Sequence, residues 1–141
     1  MKRAGVVLTD DGKILLVQHT KNNETYYVLP GGHVEDGETE EQAAIREVKE
    51  ECNLDIEITK RLAIGVFAKR NEDNIFFLGK ILGGELTNDN DPDKMHGVIT
   101  GIEWIGLSAI AVMDFRPKQF MTWLLEHDDI EITELKDFGE Y

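Results

Sequence analysis

The chain has 141 residues, 41% hydrophobic and 30% charged, the proportions of one ordinary globular domain that buries a core without staples, and 1–141 is read as a single domain. Its formal net charge of -13 repels a phosphate backbone and argues against a nucleic-acid polymer as partner. A small anion would be repelled too, unless a bound cation reversed the local sign.

Met1-Lys2-Arg3 is basic and then apolar, but Asp10-Asp11-Gly12 ends the run too early for a signal peptide. No stretch is as long as a transmembrane helix, so a cytoplasmic protein away from membranes is expected. The single cysteine, Cys52, excludes an internal disulfide and is read as a small buried hydrophobe near a helix end.

Residues 3–9 alternate weakly and favour a strand, and Asp11-Gly12 is a hairpin signal. Ile14-Leu15-Leu16-Val17 reads as a buried strand, Lys21-Asn22-Asn23-Glu24 as a loop, and Tyr26-Tyr27-Val28-Leu29 as a strand ended by Pro30-Gly31-Gly32. From Thr39 to Cys52 the period becomes helical. Ala43, Ala44, Ile45 and Val48 form the apolar stripe, Thr39 is the N-cap with Gln42 as capping-box partner, and Asn53 is a left-handed stop. Strands follow at about 55–68, 73–82 and 98–105, with Gly83-Gly84 and residues 88–93 as turns or loops. A second helix spans about 117–127, with Pro117 in its first turn and Phe120, Met121, Leu124 and Leu125 at helical spacing. The acidic tail after about 128 is undetermined. The mixture predicts an α/β fold, a sheet covered by helices.

Chemistry concentrates between Gly32 and Leu54. Pro30-Gly31-Gly32 lets the backbone turn sharply and approach a ligand. Glu47, Glu50 and Glu51 lie three and four residues apart, on one face of the predicted helix. Such a face is commonly just solvated surface. As a working site it needs a cation to join the three charges, and carboxylate oxygens suit Mg²⁺ or Mn²⁺. That ion would bridge to phosphate oxygens, polarise the phosphorus and lower the pKa of bound water. Arg46 could hold one carboxylate bidentately.

The segment GHVEDGETEEQAAIREVKEECNL resembles the Nudix box: a Gly, five residues, a Glu, seven residues, Arg-Glu, an aliphatic, any residue, Glu-Glu, any residue, Gly, an aliphatic. Every specified position matches except Asn53, which stands where the pattern has Gly. Asn is the next best residue for a left-handed stop. The approach through Leu29-Pro30-Gly31-Gly32 and the later Glu103-Trp104 are similar to the family as well.

The resemblance implies a Nudix-type α/β/α sandwich on a mixed sheet. It implies divalent-metal-dependent hydrolysis of a nucleoside diphosphate linked to another moiety, by attack of water on one phosphorus. Glu47, Glu50 and Glu51 would ligate the metal, with a backbone carbonyl of Gly32 or Gly31. Glu47 acts as general base in some members. Arg46 would orient a glutamate, and Glu38 would support Arg46. Other base candidates are Glu103, Glu85 and Asp93. Substrate contacts are expected from Gly31, from an aromatic (Phe77 foremost among Tyr27, Phe67, Phe77, Trp104 and Phe115) and from Gln119. Gln119 lies in a stretch similar to the base-reading region of MutT-type members. The proline of ADP-ribose pyrophosphatases, the tyrosine of diadenosine polyphosphate hydrolases and the signature of coenzyme A pyrophosphatases are not found. A MutT-type triphosphate pyrophosphohydrolase and a nucleotide-sugar hydrolase remain, and a non-catalytic nucleotide sensor is the alternative of another class. The protein would be a monomer or homodimer.

Overall fold

The computed structural model describes residues 1–67, 71–87, 99–126 and 135–137, with backbone alone at Thr100 and at 135–137. In chain order the elements are β1 (Lys2–Val7), β2 (Thr9–Asp10), β3 (Lys13–Lys21), β4 (Glu24–Val28), β5 (Gly31–His33), α1 (Glu40–Cys52), β6 (Leu54–Phe67), β7 (Glu72–Gly84), β8 (Ile99–Gly106), α2 (Leu107–Ile110), α3 (Lys118–Glu126) and β9 (Leu135–Asp137).

A five-stranded mixed sheet runs β5-β1-β7-β6-β9, with β1 parallel to β7 and β9 parallel to β6. A second, antiparallel sheet gathers β2, β4 and β8 around β3. Strand alternation divides the core into two layers. Ala4, Val6, Leu8, Ile75 and Phe77 pack with Ala43, Ala44, Val48 and Cys52 of α1. Val7, Leu62, Ala63 and Phe76 pack with Phe120, Met121 and Trp123 of α3. Helices therefore cover both faces of the mixed sheet, as an α/β/α sandwich requires. β3 joins the layers, since Leu15 enters the first cluster and Ile14 and Leu16 the second. Burying each large side chain contributes roughly 1.5–3 kcal/mol.

The caps form where the sequence placed them. The Thr39 side chain accepts from the Gln42 backbone N–H at 3.1 Å and the Thr39 N–H donates to the Gln42 side chain at 2.9 Å, and Asn53 ends α1 at φ 59, ψ 32. Asp11 and Gly12 make the first hairpin turn at φ 49 and 75.

Three expectations are corrected. Lys21–Glu24 is not a loop: only Asn22 and Asn23 turn, at φ 53 and 63, while Lys21 and Glu24 remain paired. Gly83 and Gly84 lie in β7, opposite Asp55 and Leu54. In α3, Leu125 is 42% exposed and Trp123 takes the buried position at 6%. Residues 88–93 and the tail, apart from the backbone of β9, lie outside the described residues.

Candidate active site

β5 is a short strand at the edge of the mixed sheet, its Gly31 and Gly32 opposite Gly5 and Ala4. Gly31 has φ +152, and a Cβ there would run into the Ala4 carbonyl oxygen, so only glycine fits. Its N–H donates to Glu51 Oε1 at 3.0 Å, and Glu51 is buried, 5% exposed. A Cβ on Gly32 would overlap the Glu47 carboxylate. Glu47 thus lies directly against the bare backbone of Gly32. One helical turn apart, Glu47 and Glu51 fasten α1 to β5, while Glu50, whose side chain is 44% exposed, stays open to solvent.

Arg46 ties these acids together. Its Nε and Nη2 donate to the two Glu38 oxygens at 3.0 and 2.7 Å. Its Nη1 donates to Glu47 at 2.9 Å and Glu50 at 3.3 Å, and Nη2 also reaches the His33 carbonyl oxygen at 3.0 Å. A guanidinium has five N–H donors, and all five are engaged. Arg46 and the Glu35 backbone N–H hold the Glu38 carboxyl down at about 2. The Arg46 guanidinium is held still more firmly charged, chiefly by Glu38. Glu47 moves the other way: burial raises its proton affinity and the neighbouring Glu50 charge adds to that, against the pull of Arg46.

Glu47 and Glu50 turn toward Arg46 and Glu51 toward Gly31. Among the described residues, no three His, Cys, Asp or Glu side chains yet converge in ligand geometry. The donor set nonetheless fits a hard cation. It consists of oxygens only, on adjacent turns of a capped helix, against a glycine whose missing side chain leaves room for a carboxylate. Glu47, Glu50, Glu51 and the Gly32 carbonyl could hold Mg²⁺ or Mn²⁺.

The other predicted residues scatter. Phe77 is fully buried in the layer beneath α1, so it has no face to offer a base, which corrects that expectation. Phe67 and Phe115 are core as well. Tyr27 and Trp104 are half-buried, and the Tyr27 hydroxyl accepts from Gln18 at 2.9 Å. Gln119 is exposed, on the rim of a concavity of about 470 Å³ that it shares with Asp114, Arg116 and Lys118. Glu85 and Glu103 are exposed, and Asp93 lies outside the described residues.

Sequence reasoning missed a narrow cleft on the α3 side of Gly31, walled by Arg3, Asn74, Arg116 and Pro117 over Gly5 and Phe76. Arg3, a cation directly before the small, apolar run Ala4-Gly5-Val6-Val7 of β1, was the signal for it. No helix among the described residues is long and apolar enough to cross a membrane.

The family model of the NUDIX domain matches residues 1–124. A protein of Bacillus subtilis (strain 168), provisionally named an 8-oxo-dGTP diphosphatase, is 27% identical over 95% of this chain and 85% of its own length. The ADP-ribose pyrophosphatase of Methanocaldococcus jannaschii is 41% identical over 60% of this chain, and the match spans about half, 53%, of that protein. The crystal structure of an ADP-ribose pyrophosphatase from Streptococcus suis 89-1591 shares the fold, with a TM-score of 0.72 at 23% identity over 96% of this chain and 97% of that one. With its box folded against Gly31 and Gly32 and the domain match reaching residue 124 of 141, the chain belongs to the Nudix family of pyrophosphohydrolases.

Proposed function

We propose that the chain hydrolyses the pyrophosphate bond of a small nucleotide, a nucleoside diphosphate linked to another moiety, with Mg²⁺ or Mn²⁺ held by Glu47, Glu50, Glu51 and the Gly32 carbonyl. The observation that carries this is the lock between β5 and α1: Glu51 on the Gly31 N–H at 3.0 Å and Glu47 against Gly32. It sets the Glu47 and Glu51 carboxylates beside a stretch of backbone with no side chains, where a phosphate can approach, with Glu50 held next to Glu47 by Arg46. The cation supplies charge neutralisation and polarisation of the phosphoryl group. Arg46 fixes the Glu47 and Glu50 rotamers and keeps the acids from repelling one another. If Glu47 is the general base instead of a ligand, its burial, which raises its proton affinity, suits it to accept a proton from the attacking water.

The charge of -13 favours a small substrate over a polymer. A triphosphate leaving pyrophosphate is the second reading, favoured by the match to the Bacillus subtilis protein over 85% of its length. The test is a panel of ADP-ribose, 8-oxo-dGTP, unmodified nucleoside triphosphates, nucleotide sugars and a capped RNA, scored for released phosphate, pyrophosphate and nucleotide. Turnover of a small nucleotide that needs Mg²⁺ or Mn²⁺ and stops with chelator is the expected result. A folded protein inert on the whole panel, or one that works in excess chelator, would overturn the proposal.

A further inference from the structure

The acids of the box leave a question of charge. The chain must bring an anionic substrate to a carboxylate-rich helix, and a cation there meets only the oxygens it touches. A second phosphate needs its own counter-charge. Arg46 cannot provide it, because its five donors are engaged by Glu38, Glu47, Glu50 and the His33 carbonyl at 2.7–3.3 Å.

Two other guanidinium groups wall the cleft beside Gly31. Arg116 is tied to Asp114 at 3.0 and 3.2 Å and to Glu24 at 3.3 Å, and lies over the Tyr26 ring at 4.1 Å. Arg3 is held differently. Among the described residues its one ion-pair contact is with Glu72, at 3.9 Å, too long for a hydrogen bond. Glu72 is already engaged by the Asn74 amide at 2.9 Å. Arg3 sits opposite His33 in the β1–β5 pairing, one residue from the Ala4–Gly32 pair, and its side chain walls the cleft beside Gly31. It therefore stands between the box and the cleft, and among the described residues it makes no side-chain hydrogen bond shorter than its 3.9 Å contact with Glu72.

Resting on the reading above, we propose that Arg3 is a substrate-binding residue that holds the phosphate not under attack, reaching it across the bare Gly31 backbone. Glu72 and Asn74 act through Arg3, setting where the guanidinium lies without touching the nucleotide. The group recognised is a phosphate of a nucleoside diphosphate unit, which the guanidinium fork can grip bidentately.

The experiment compares Arg3→Gln, Arg3→Lys, Glu72→Gln and the Arg3→Gln/Glu72→Gln pair on the best substrate of the panel, alongside calorimetric binding of ADP with Mg²⁺. Arg3→Gln should raise KM and the ADP Kd about 10-fold or more with kcat nearly unchanged, the mark of lost uniform binding. Arg3→Lys should recover part of it. Glu72→Gln should raise KM a few-fold, less than Arg3→Gln does, with kcat nearly kept, because the guanidinium loses the charge that places it. If Arg3 served only to neutralise Glu72, the double variant would recover the wild-type KM, and that outcome overturns the proposal. So does an active wild type whose KM and ADP affinity ignore Arg3→Gln. A wild type that neither turns over the panel nor binds ADP sinks the functional reading itself, a result separate from both.

Discussion

The two sides of Gly31 are built in opposite ways. On the α1 side the groups come from one stretch, Glu38 in the turn before the helix and Arg46, Glu47, Glu50 and Glu51 at helical offsets, locked by Arg46 and the Gly31 N–H. On the α3 side the cleft takes Arg3 and Gly5 from β1, Asn74 and Phe76 from β7, and Arg116 and Pro117 from the approach to α3. The first arrangement depends on the helix and on the two glycines of β5 it leans against. The second depends on strand register and on a loop. On the reading proposed above, the metal chemistry belongs to the α1 side, and the choice of substrate belongs to the side where distant parts of the chain meet.

The sharpest way to break this contrast is at Glu51. In Glu51→Gln the amide oxygen can still accept from the Gly31 N–H, so the lock persists while a charge disappears. kcat/KM should fall by about 10²-fold or more, with a melting temperature close to wild type. An active Glu51→Gln enzyme would mean that the buried glutamate only fastens α1 to β5.

The glycines give a smaller and paired effect. In Gly32→Ala the new methyl overlaps the Glu47 carboxylate, so Glu47 must swing away, and kcat should drop by about 10-fold or more. In Gly5→Ala the methyl would meet Leu29 and Phe76 at 3.6 Å, ordinary contact, so the fold accepts it while the cleft narrows. Its effect should be a few-fold rise in KM. Steady-state kinetics on both variants checks the division. A Gly5→Ala loss confined to kcat would erase the distinction between the two sides.

Legibility in the sequence follows the same line. α1, its Thr39–Gln42 box and the Asn53 stop could be read because each depends on neighbours within four residues. Strand existence was readable from composition, but the ends were not. Gly83-Gly84 looks like a turn by propensity, yet Gly84 is glycine because its backbone, at φ +99, closes on the Asn53 carbonyl while pairing with Leu54. Phe77 and Trp123 were misjudged because which side of a strand or helix is buried depends on the partner layer. Arg3 escaped because its meaning comes from pairing with His33, thirty residues away along the chain.

The smallest effect concerns Glu38, which lies in the box but supports it through Arg46 alone. Its folded pKa of about 2 lies below the ordinary 4.5, so its ionised form is favoured by folding. A depressed carboxylate contributes stability that is fully present above the unfolded value and is lost as pH falls through the folded one. The window is therefore pH 4.5 down to about 2. Glu38→Gln should unfold at lower urea than wild type at pH 7, and the gap between their midpoints should close steadily as pH drops through that window. Because the pair is partly open to solvent, with Glu38 17% exposed at its side chain, the gap itself should be modest. A midpoint difference that stayed constant from pH 7 to 3 would trace the Glu38 contribution to shape, with the Arg46 charge playing no part in it.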